Sequence, residues 1–170
     1  MNQVKFKISQ KAAFLDRDGV INVDTGYVSK IKDFKWIEGA IDALKILKEN
    51  NYLIIIISNQ SGVSRGFFSK QDVHDLHKWI NIQLSEHNIQ IDDFFFATEL
   101  PETEILKTRR KPSPRMINEA IMKYNLNRDN CFMIGDKNID VLAAKNAQIR
   151  GFLFEGGNLS YKIKKILNIT

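Results

Sequence analysis

The sequence is poor in the residues that bind metals or crosslink a chain. It has one cysteine, Cys131, and three histidines among 170 residues. One cysteine excludes an internal disulfide and a cysteine-based zinc site, and we expect Cys131 to be a small buried hydrophobic side chain. His74 and His77 lie three residues apart with no evident third ligand. We therefore expect ordinary surface or edge residues at both positions.

Long apolar runs are also absent. No run approaches the roughly 20 residues that a membrane-spanning helix needs, and residues 1–10 lack the apolar core of a signal peptide. We therefore expect no membrane association and a cytoplasmic location. With 44% hydrophobic and 26% charged residues, the chain is expected to form one domain over residues 1–170 with a substantial core.

Basic residues exceed acidic residues by 25 to 20, which gives a net charge of +5. Such a charge can indicate nucleic-acid binding, but only residues 107–111 form a dense basic cluster. Interleaved aromatic and basic residues are missing. We therefore expect a small phosphorylated ligand and no nucleic-acid partner. A nucleic-acid-binding or end-processing protein stays as a distant alternative, which steeply salt-dependent binding would indicate.

Apolar segments of strand character alternate with segments of helical periodicity. The predicted strands are 12–15, 52–57, 93–97, 131–134 and 151–154, and the predicted helices are 39–49, 69–84, 113–124, 139–147 and 159–167. The isoleucines at 54–57 are apolar on both faces, which is typical of a covered parallel sheet. The alternation predicts an α/β fold with a parallel sheet flanked by helices. Residues 22–36 are predicted to form a flap or small hairpin over the active edge.

The most informative feature is a pair of carboxylates, Asp16 and Asp18, directly after the first predicted strand. Strand side chains alternate between faces, so residues two positions apart point the same way. Gly19 then lets the backbone turn away from the sheet. Such a pair can hold a hard cation and still offer one carboxylate oxygen as a nucleophile.

Reactive residue types also lie at three other predicted strand ends. They are Ser58-Asn59-Gln60-Ser61-Gly62, Arg110-Lys111-Pro112 and Gly135-Asp136-Lys137. Because the carboxyl ends of parallel strands share one edge of the sheet, we expect these segments to meet there.

The residue types at these strand ends suggest phosphoryl transfer. We expect Asp16 to be the nucleophile on phosphorus, with Asp16 and Asp136 binding Mg²⁺ together with a backbone carbonyl such as that of Asp18. Asp18 would act as general acid and then as general base. Ser58 and Lys111 would donate to the transferring phosphoryl group.

Four motifs carry a resemblance to a known family. FLDRDGVIN at 14–22, SNQSG at 58–62, RKPSP at 110–114 and GDK at 135–137 resemble the haloacid dehalogenase superfamily of phosphatases. The resemblance covers about residues 14–154 and implies a Rossmann-like fold with a minimal cap. More narrowly, the chain is similar to the subfamily of heptose 1,7-bisphosphate 7-phosphatases and histidinol-phosphate phosphatases.

The resemblance implies a reaction and a substrate class. The reaction would be Mg²⁺-dependent hydrolysis of the C7 phosphate of D-glycero-D-manno-heptose 1,7-bisphosphate through an aspartyl phosphate. Histidinol phosphate or another small sugar phosphate is the alternative substrate. The small, cap-poor members of the family suggest a monomer.

The resemblance also assigns roles to individual residues. Catalysis would fall to Asp16, Asp18, Ser58 and Lys111, and the metal would be bound by Asp16, Asp18 and Asp136. Arg110 would recognise the far end of the substrate, and Lys137 would support Asp136. Substrate contacts are expected from Asp24, Thr25, Gly26, Tyr27, Ser58, Asn59, Gln60, Ser61, Arg65, Arg110, Lys111 and Lys137.

One segment departs from the subfamily pattern. Its members usually carry a zinc loop of three cysteines and one histidine before the Arg-Lys-Pro motif. Residues 98–109 contain neither residue type, so we expect no structural zinc. Packing of Leu100, Pro101, Ile105 and Leu106 is expected to hold the loop instead.

Overall fold

The computed structural model describes residues 10–102, 104 and 107–169. The strands are β1 (Lys11–Leu15), β2 (Tyr52–Asn59), β3 (Asp93–Ala97), β4 (Phe132–Gly135) and β5 (Arg150–Leu153), and the helices are α1 (Ala40–Glu49), α2 (Lys70–Ser85), α3 (Arg115–Tyr124), α4 (Asn138–Asn146) and α5 (Leu159–Leu167). All five strands are parallel, in the order β3-β2-β1-β4-β5. The predicted α/β fold is therefore confirmed. Residues 1–9, in which we expected no signal peptide, lie outside the described residues.

The isoleucine run of β2 lies at the centre of the sheet and divides its side chains between two cores. Ile54 and Ile56 belong to one core, and Ile55 and Ile57 belong to the other. All four side chains are completely buried. This two-sided burial explains why the run is apolar throughout, since a half-exposed strand would alternate.

Helices cover both faces of the sheet. Helices α1, α2 and α5 contribute Leu44, Ile80 and Ile163 to the core on one face. Helices α3 and α4 contribute Ile117 and Ala143 to the core on the other face. None of the helices that the structure describes is long and apolar enough to cross a membrane.

Two segments next to the sheet edge refine the predictions. β2 continues to Asn59, two residues beyond the predicted end, because its pairing with β3 extends to Asn59 and Ala97. Residues 22–36, predicted to form a flap or small hairpin, contain no named strands, and an isolated antiparallel bridge between Asn22 and Trp36 joins their ends. No second sheet or inserted helical domain occurs among residues 10–102, 104 and 107–169.

The central strand predicts a mutational contrast. Ile56→Ala should lower the free energy of unfolding by roughly 2–5 kcal/mol, because it leaves a cavity in the core that Ile56 shares with Leu44 and Ile80. Ile82→Ala, on the 61% exposed side chain of Ile82 in α2, should change it by less than about 0.5 kcal/mol. Urea denaturation of both variants measures the difference, and equal losses would contradict the assignment of Ile56 to the core.

Candidate active site

A cavity of about 230 Å³ opens at the carboxyl edge of the sheet. Its lining includes residues from all four predicted strand-end segments and from residues 24–27, the predicted substrate segment. The predicted site residues in the lining are Asp16, Asp18, Asp24, Gly26, Tyr27, Asn59, Gln60, Ser61, Arg110, Lys111 and Lys137. The predicted residues Thr25, Ser58, Arg65 and Asp136 are not part of this lining. The structure thus brings together most of the set on which the functional hypothesis depends.

Asp16 follows β1 directly and has one oxygen held by two donors. Its Oδ1 accepts a hydrogen bond from the backbone N–H of Arg17 at 2.7 Å and lies 2.9 Å from Lys111 Nζ. These two contacts fix the position of Oδ1. Burial raises the pKa of Asp16 to about 7, although the Lys111 ammonium opposes this rise.

The Lys111 ammonium is completely buried and contacts three oxygens. Nζ donates to the carbonyl of Ile57 at 2.8 Å and lies 2.6 Å from Asp140 Oδ1, in addition to Asp16. Burial alone would lower the pKa of Lys111, but Asp16 and Asp140 outweigh it and raise the pKa above its usual range. Lys111 therefore carries a buried positive charge that is paired with Asp16 and Asp140.

Asn59 fixes the main chain that carries this lysine. Its Oδ1 accepts from the backbone N–H of Lys111 at 2.9 Å, and its Nδ2 donates to the carbonyl of Lys111 at 3.2 Å. The side chain was predicted to bind substrate. Although it lines the cavity, both of its polar atoms bond to residue 111.

Three carboxylates form a candidate magnesium site. Ligand oxygens of Asp16, Asp136 and Asp140 all lie within 4.8 Å of one another. Asp136 Oδ1 is buried and has no hydrogen-bond partner in the described part of the chain. A Cβ added to Gly19, whose φ is +86°, would lie 2.4 Å from Asp136 Oδ2, so only glycine leaves this carboxylate its room.

The charges of this cluster fit a divalent cation. The three carboxylates carry three negative charges if all are ionised, and Lys111 and Lys137 supply two positive charges. Burial raises the pKa of Asp136, as it does that of Asp16, so an added positive charge would favour the ionised form of both carboxylates. Oxygen ligands of this kind suit Mg²⁺.

Asp18 also lines the cavity, and its carboxylate is bonded to other side chains. It accepts from Asn22 Nδ2 at 3.0 Å and from Gln60 Nε2 at 2.8 Å, and it forms an ion pair with Arg17. Gln60 Nε2 also donates to Ser58 Oγ at 2.7 Å. Among the described residues, the cluster of possible ligands includes Asp140 rather than Asp18.

The segment after β1 supplies one wall of the cavity. Lys137 Nζ lies 3.1 Å from Asp24 Oδ2 and 3.5 Å from Asp136 Oδ2. Lys137 thus links the predicted substrate segment to the metal cluster. Tyr27 is half exposed, and its ring packs edge-on against Phe67 at 4.8 Å.

Arg110 lines the cavity, whereas Arg65 lies near it but is not part of the lining. Burial and the nearby charge of Arg65 lower the pKa of Arg110. Arg110 Nη1 donates to the carbonyl of Glu99 at 3.3 Å. The positive charge of Arg110 in the lining favours an anion in the cavity.

The loop before Arg110 is held by polar contacts in its described part. Arg109 forms an ion pair with Glu119 at 2.6 Å, and its backbone N–H donates to Glu99 Oε1. The predicted packing of Pro101 is wrong, because this residue is exposed. Ile105 and Leu106, also predicted to pack there, lie outside the described residues.

Sequence reasoning missed two residues of this region. Asp140 lies four positions after Asp136, in the first turn of α4, and the spacing could have suggested that both reach the same edge. His77 was expected at the surface or an edge but is buried. It lies on the same helical face as Val73 and Ile80, so the periodicity of α2 indicated its burial.

Comparisons with known proteins identify this arrangement. A family model described as HAD-hydrolase-like matches residues 108–164, which include Lys111, Asp136 and Asp140. A D,D-heptose 1,7-bisphosphate phosphatase from B. bronchiseptica, crystallised with magnesium and phosphate, superposes with a TM-score of 0.79 at 23% identity. The match covers 95% of this chain and 88% of that structure. Fold and site together thus define a hydrolase of the haloacid dehalogenase type.

Relatives by sequence show to which family of these hydrolases the chain belongs. The D-glycero-beta-D-manno-heptose-1,7-bisphosphate 7-phosphatase of Rhodopseudomonas palustris is 40% identical over 161 residues, 92% of this chain and 89% of the relative. The enzyme of that name from Pasteurella multocida is 39% identical over 145 residues, 83% of this chain and 79% of the relative. The chain belongs to the family of D-glycero-D-manno-heptose-1,7-bisphosphate 7-phosphatases, which confirms the resemblance.

The buried imidazole of His77 predicts a pH dependence of stability. Burial, with the charge of Arg17, lowers its pKa from 6.5 to about 2, so between these values the unfolded chain binds a proton that the folded chain does not. Stability should fall as pH drops below 6.5, by about 2 kcal/mol at pH 5 from this group. His77→Gln should remove that loss.

Urea denaturation at pH 7, 6 and 5 measures this difference. The matched control is His74→Gln, which removes an exposed histidine from the same helix. Parallel pH profiles of wild type and His77→Gln would contradict the prediction.

Proposed function

We propose that this chain removes the phosphate at C7 of D-glycero-D-manno-heptose 1,7-bisphosphate, with Asp16 as the nucleophile. The observation that carries the proposal is the anchoring of Asp16 Oδ1 by Lys111 and the Arg17 N–H, beside Asp136 and Asp140. The family and the relatives at about 40% identity support the substrate class.

The reaction has two displacements at phosphorus. Asp16 Oδ2 bonds to the phosphorus of the C7 phosphate while the bond from phosphorus to the sugar oxygen breaks, and Asp18 gives that oxygen a proton. Water then attacks the aspartyl phosphate, Asp18 takes its proton, and the bond from phosphorus to Asp16 breaks. The products are heptose 1-phosphate and inorganic phosphate.

Mg²⁺ would be held by Asp16, Asp136 and Asp140, with the predicted carbonyl of Asp18 as a further ligand. When bound, it supplies positive charge that offsets the repulsion between a carboxylate and a phosphate dianion. Lys111 keeps the nucleophile in place, and the Gln60 amide orients both Asp18 and the Ser58 hydroxyl. These groups supply the positioning on which phosphoryl transfer relies.

The arginine pair favours a bisphosphate over histidinol phosphate. Arg110 places positive charge in the cavity lining, with that of Arg65 close by, and a second phosphate would be attracted there. Histidinol phosphate has no second phosphate, carries its ammonium group on the carbon next to the phosphomethyl group and has an imidazole at its far end.

The remaining predictions follow from the sequence and the resemblance alone. They are one catalytic domain over residues 1–170, a monomer, a cytoplasmic location, no nucleic-acid partner and no structural zinc. The single sheet that carries the whole candidate site supports the first of these. The others stay predictions.

Asp16→Asn should abolish phosphate release, because an amide cannot form the acyl phosphate. Mg²⁺ at about 100 times its Kd should stabilise the wild type by about 2.7 kcal/mol. Asp136→Asn should lose most of that stabilisation. Phosphate release and thermal melts with Mg²⁺ or EDTA measure both effects. Turnover by folded Asp16→Asn would refute the nucleophile.

Arg110→Gln should raise KM for heptose 1,7-bisphosphate by roughly 10- to 100-fold, the cost of a lost charged hydrogen bond. It should change KM for heptose 7-phosphate little, because that substrate lacks the second phosphate. Lys123→Gln, which removes a charge at the amino end of β3, is the matched control.

A phosphate-release screen tests the substrate itself, with heptose bisphosphate, histidinol phosphate and fructose bisphosphate compared in Mg²⁺. Preference for histidinol phosphate, or equal effects of Arg110→Gln on both heptose substrates, would contradict the proposed specificity.

A further inference from the structure

Arg17 lies between the two aspartates of the DRD segment, and the mechanism above does not use its side chain. That side chain is completely buried. A buried guanidinium is costly unless its charge is paired and its N–H groups are bonded. The partners of Arg17 therefore indicate what the residue is kept for.

The Arg17 guanidinium contacts three separate parts of the chain. Nη2 donates to Asp18 Oδ2 at 3.0 Å, and Nε donates to Asp18 Oδ1 at 3.3 Å. Nη2 also donates to the carbonyl of Val28, directly after the predicted substrate segment 24–27. Nη1 lies 3.5 Å from Nε2 of His77 in α2.

The contact with Arg17 determines the tautomer of His77. Arginine keeps its protons in proteins, so Nη1 donates and Nε2 of His77 must accept, which places the imidazole proton on Nδ1. The low pKa keeps the ring neutral and thus able to accept. Nδ1 is buried without a hydrogen-bond partner among the described residues. The ring itself is stacked on Phe94 at 4.2 Å.

We propose that Arg17 and His77 are positioning residues for the acid and base Asp18. His77 holds the guanidinium from the rigid face of α2, and the guanidinium sets the orientation of the Asp18 carboxylate. The inference rests on the role proposed above for Asp18. The other side-chain donors to Asp18, from Asn22 and Gln60, are neutral amides, so Arg17 supplies the charged contact.

The expected consequence is selective, because proton transfer depends on placement within hydrogen-bond reach. An alkyl phosphate needs its leaving oxygen protonated, whereas p-nitrophenyl phosphate releases a stable anion. Loss of Asp18 placement should therefore slow the first substrate more than the second. A general loosening of the fold would slow both alike.

The experiment compares kcat/KM for heptose 1,7-bisphosphate and p-nitrophenyl phosphate, both with Mg²⁺. His77→Leu keeps the packing against Phe94 but removes the acceptor, and it should lower the ratio of the two values roughly 10-fold, since misplacement by about 1 Å can cost 100-fold. His77→Gln, whose amide oxygen can accept from Arg17, should restore most of the ratio. His74→Leu, an exposed ring on Phe96, should leave it unchanged.

Arg17→Lys provides a second route to the same result. It keeps the charge but cannot reach Asp18, Val28 and His77 together, so it should also lower the ratio. This variant tests the inference even if His77→Leu does not fold. An unchanged ratio in the folded variants would overturn the inference.

Asp18→Asn separates failure of this inference from failure of the proposed mechanism. If Asp18→Asn lowers the ratio and the Arg17 and His77 variants do not, only the inference fails. If Asp18→Asn also leaves the ratio unchanged, the acid role of Asp18 and the inference fail together.

Discussion

The buried ammonium of Lys111 is the interaction on which the rest of the site depends. It joins the end of β1 through Asp16, the first turn of α4 through Asp140 and the end of β2 through the Ile57 carbonyl. Removal of any one partner would leave a buried charge less compensated, which costs several kcal/mol. The three segments are therefore held together by one cation, which also fixes the position of the Asp16 carboxylate.

Charge is balanced locally over most of the cavity. Arg17 pairs with Asp18, and Lys137 pairs with Asp24. Among the described residues, Asp136 Oδ1 has no hydrogen-bond partner, although Lys137 lies 3.5 Å from Oδ2 of the same carboxylate. The Asp18 carboxylate, in contrast, is paired with Arg17, whereas Asp16 belongs to the carboxylate cluster with Asp136. Asp16 and Asp18 are only two residues apart and therefore have different electrostatic surroundings.

The main features of the site could be predicted because strand ends are visible in the sequence. Apolar runs end where Asp16 and Asp136 begin, and parallel strands bring such ends to one edge. The end of β2 was predicted two residues early, because its backbone pairing continues through Ser58 and Asn59 after the apolar pattern stops. The two bonds of the Gln60 amide, to Asp18 and Ser58, depend on tertiary neighbours and have no local signature. The helical period of α2 places His77 on the buried face, but its polar side chain led us to expect an exposed position.

Asp140 has a second task besides its place in the carboxylate cluster. Its Oδ2 accepts from the backbone N–H of Lys137 at 3.0 Å, which caps the start of α4. Its side chain also leaves no room for a side chain at Gly135, where an added Cβ would lie 2.0 Å from Asp140 Cβ. One residue thus takes part in the carboxylate cluster, in helix initiation and in the close approach of α4 to β4. A substitution at Asp140 would therefore change the start of α4 and its packing on β4 as well as the charge of the cluster.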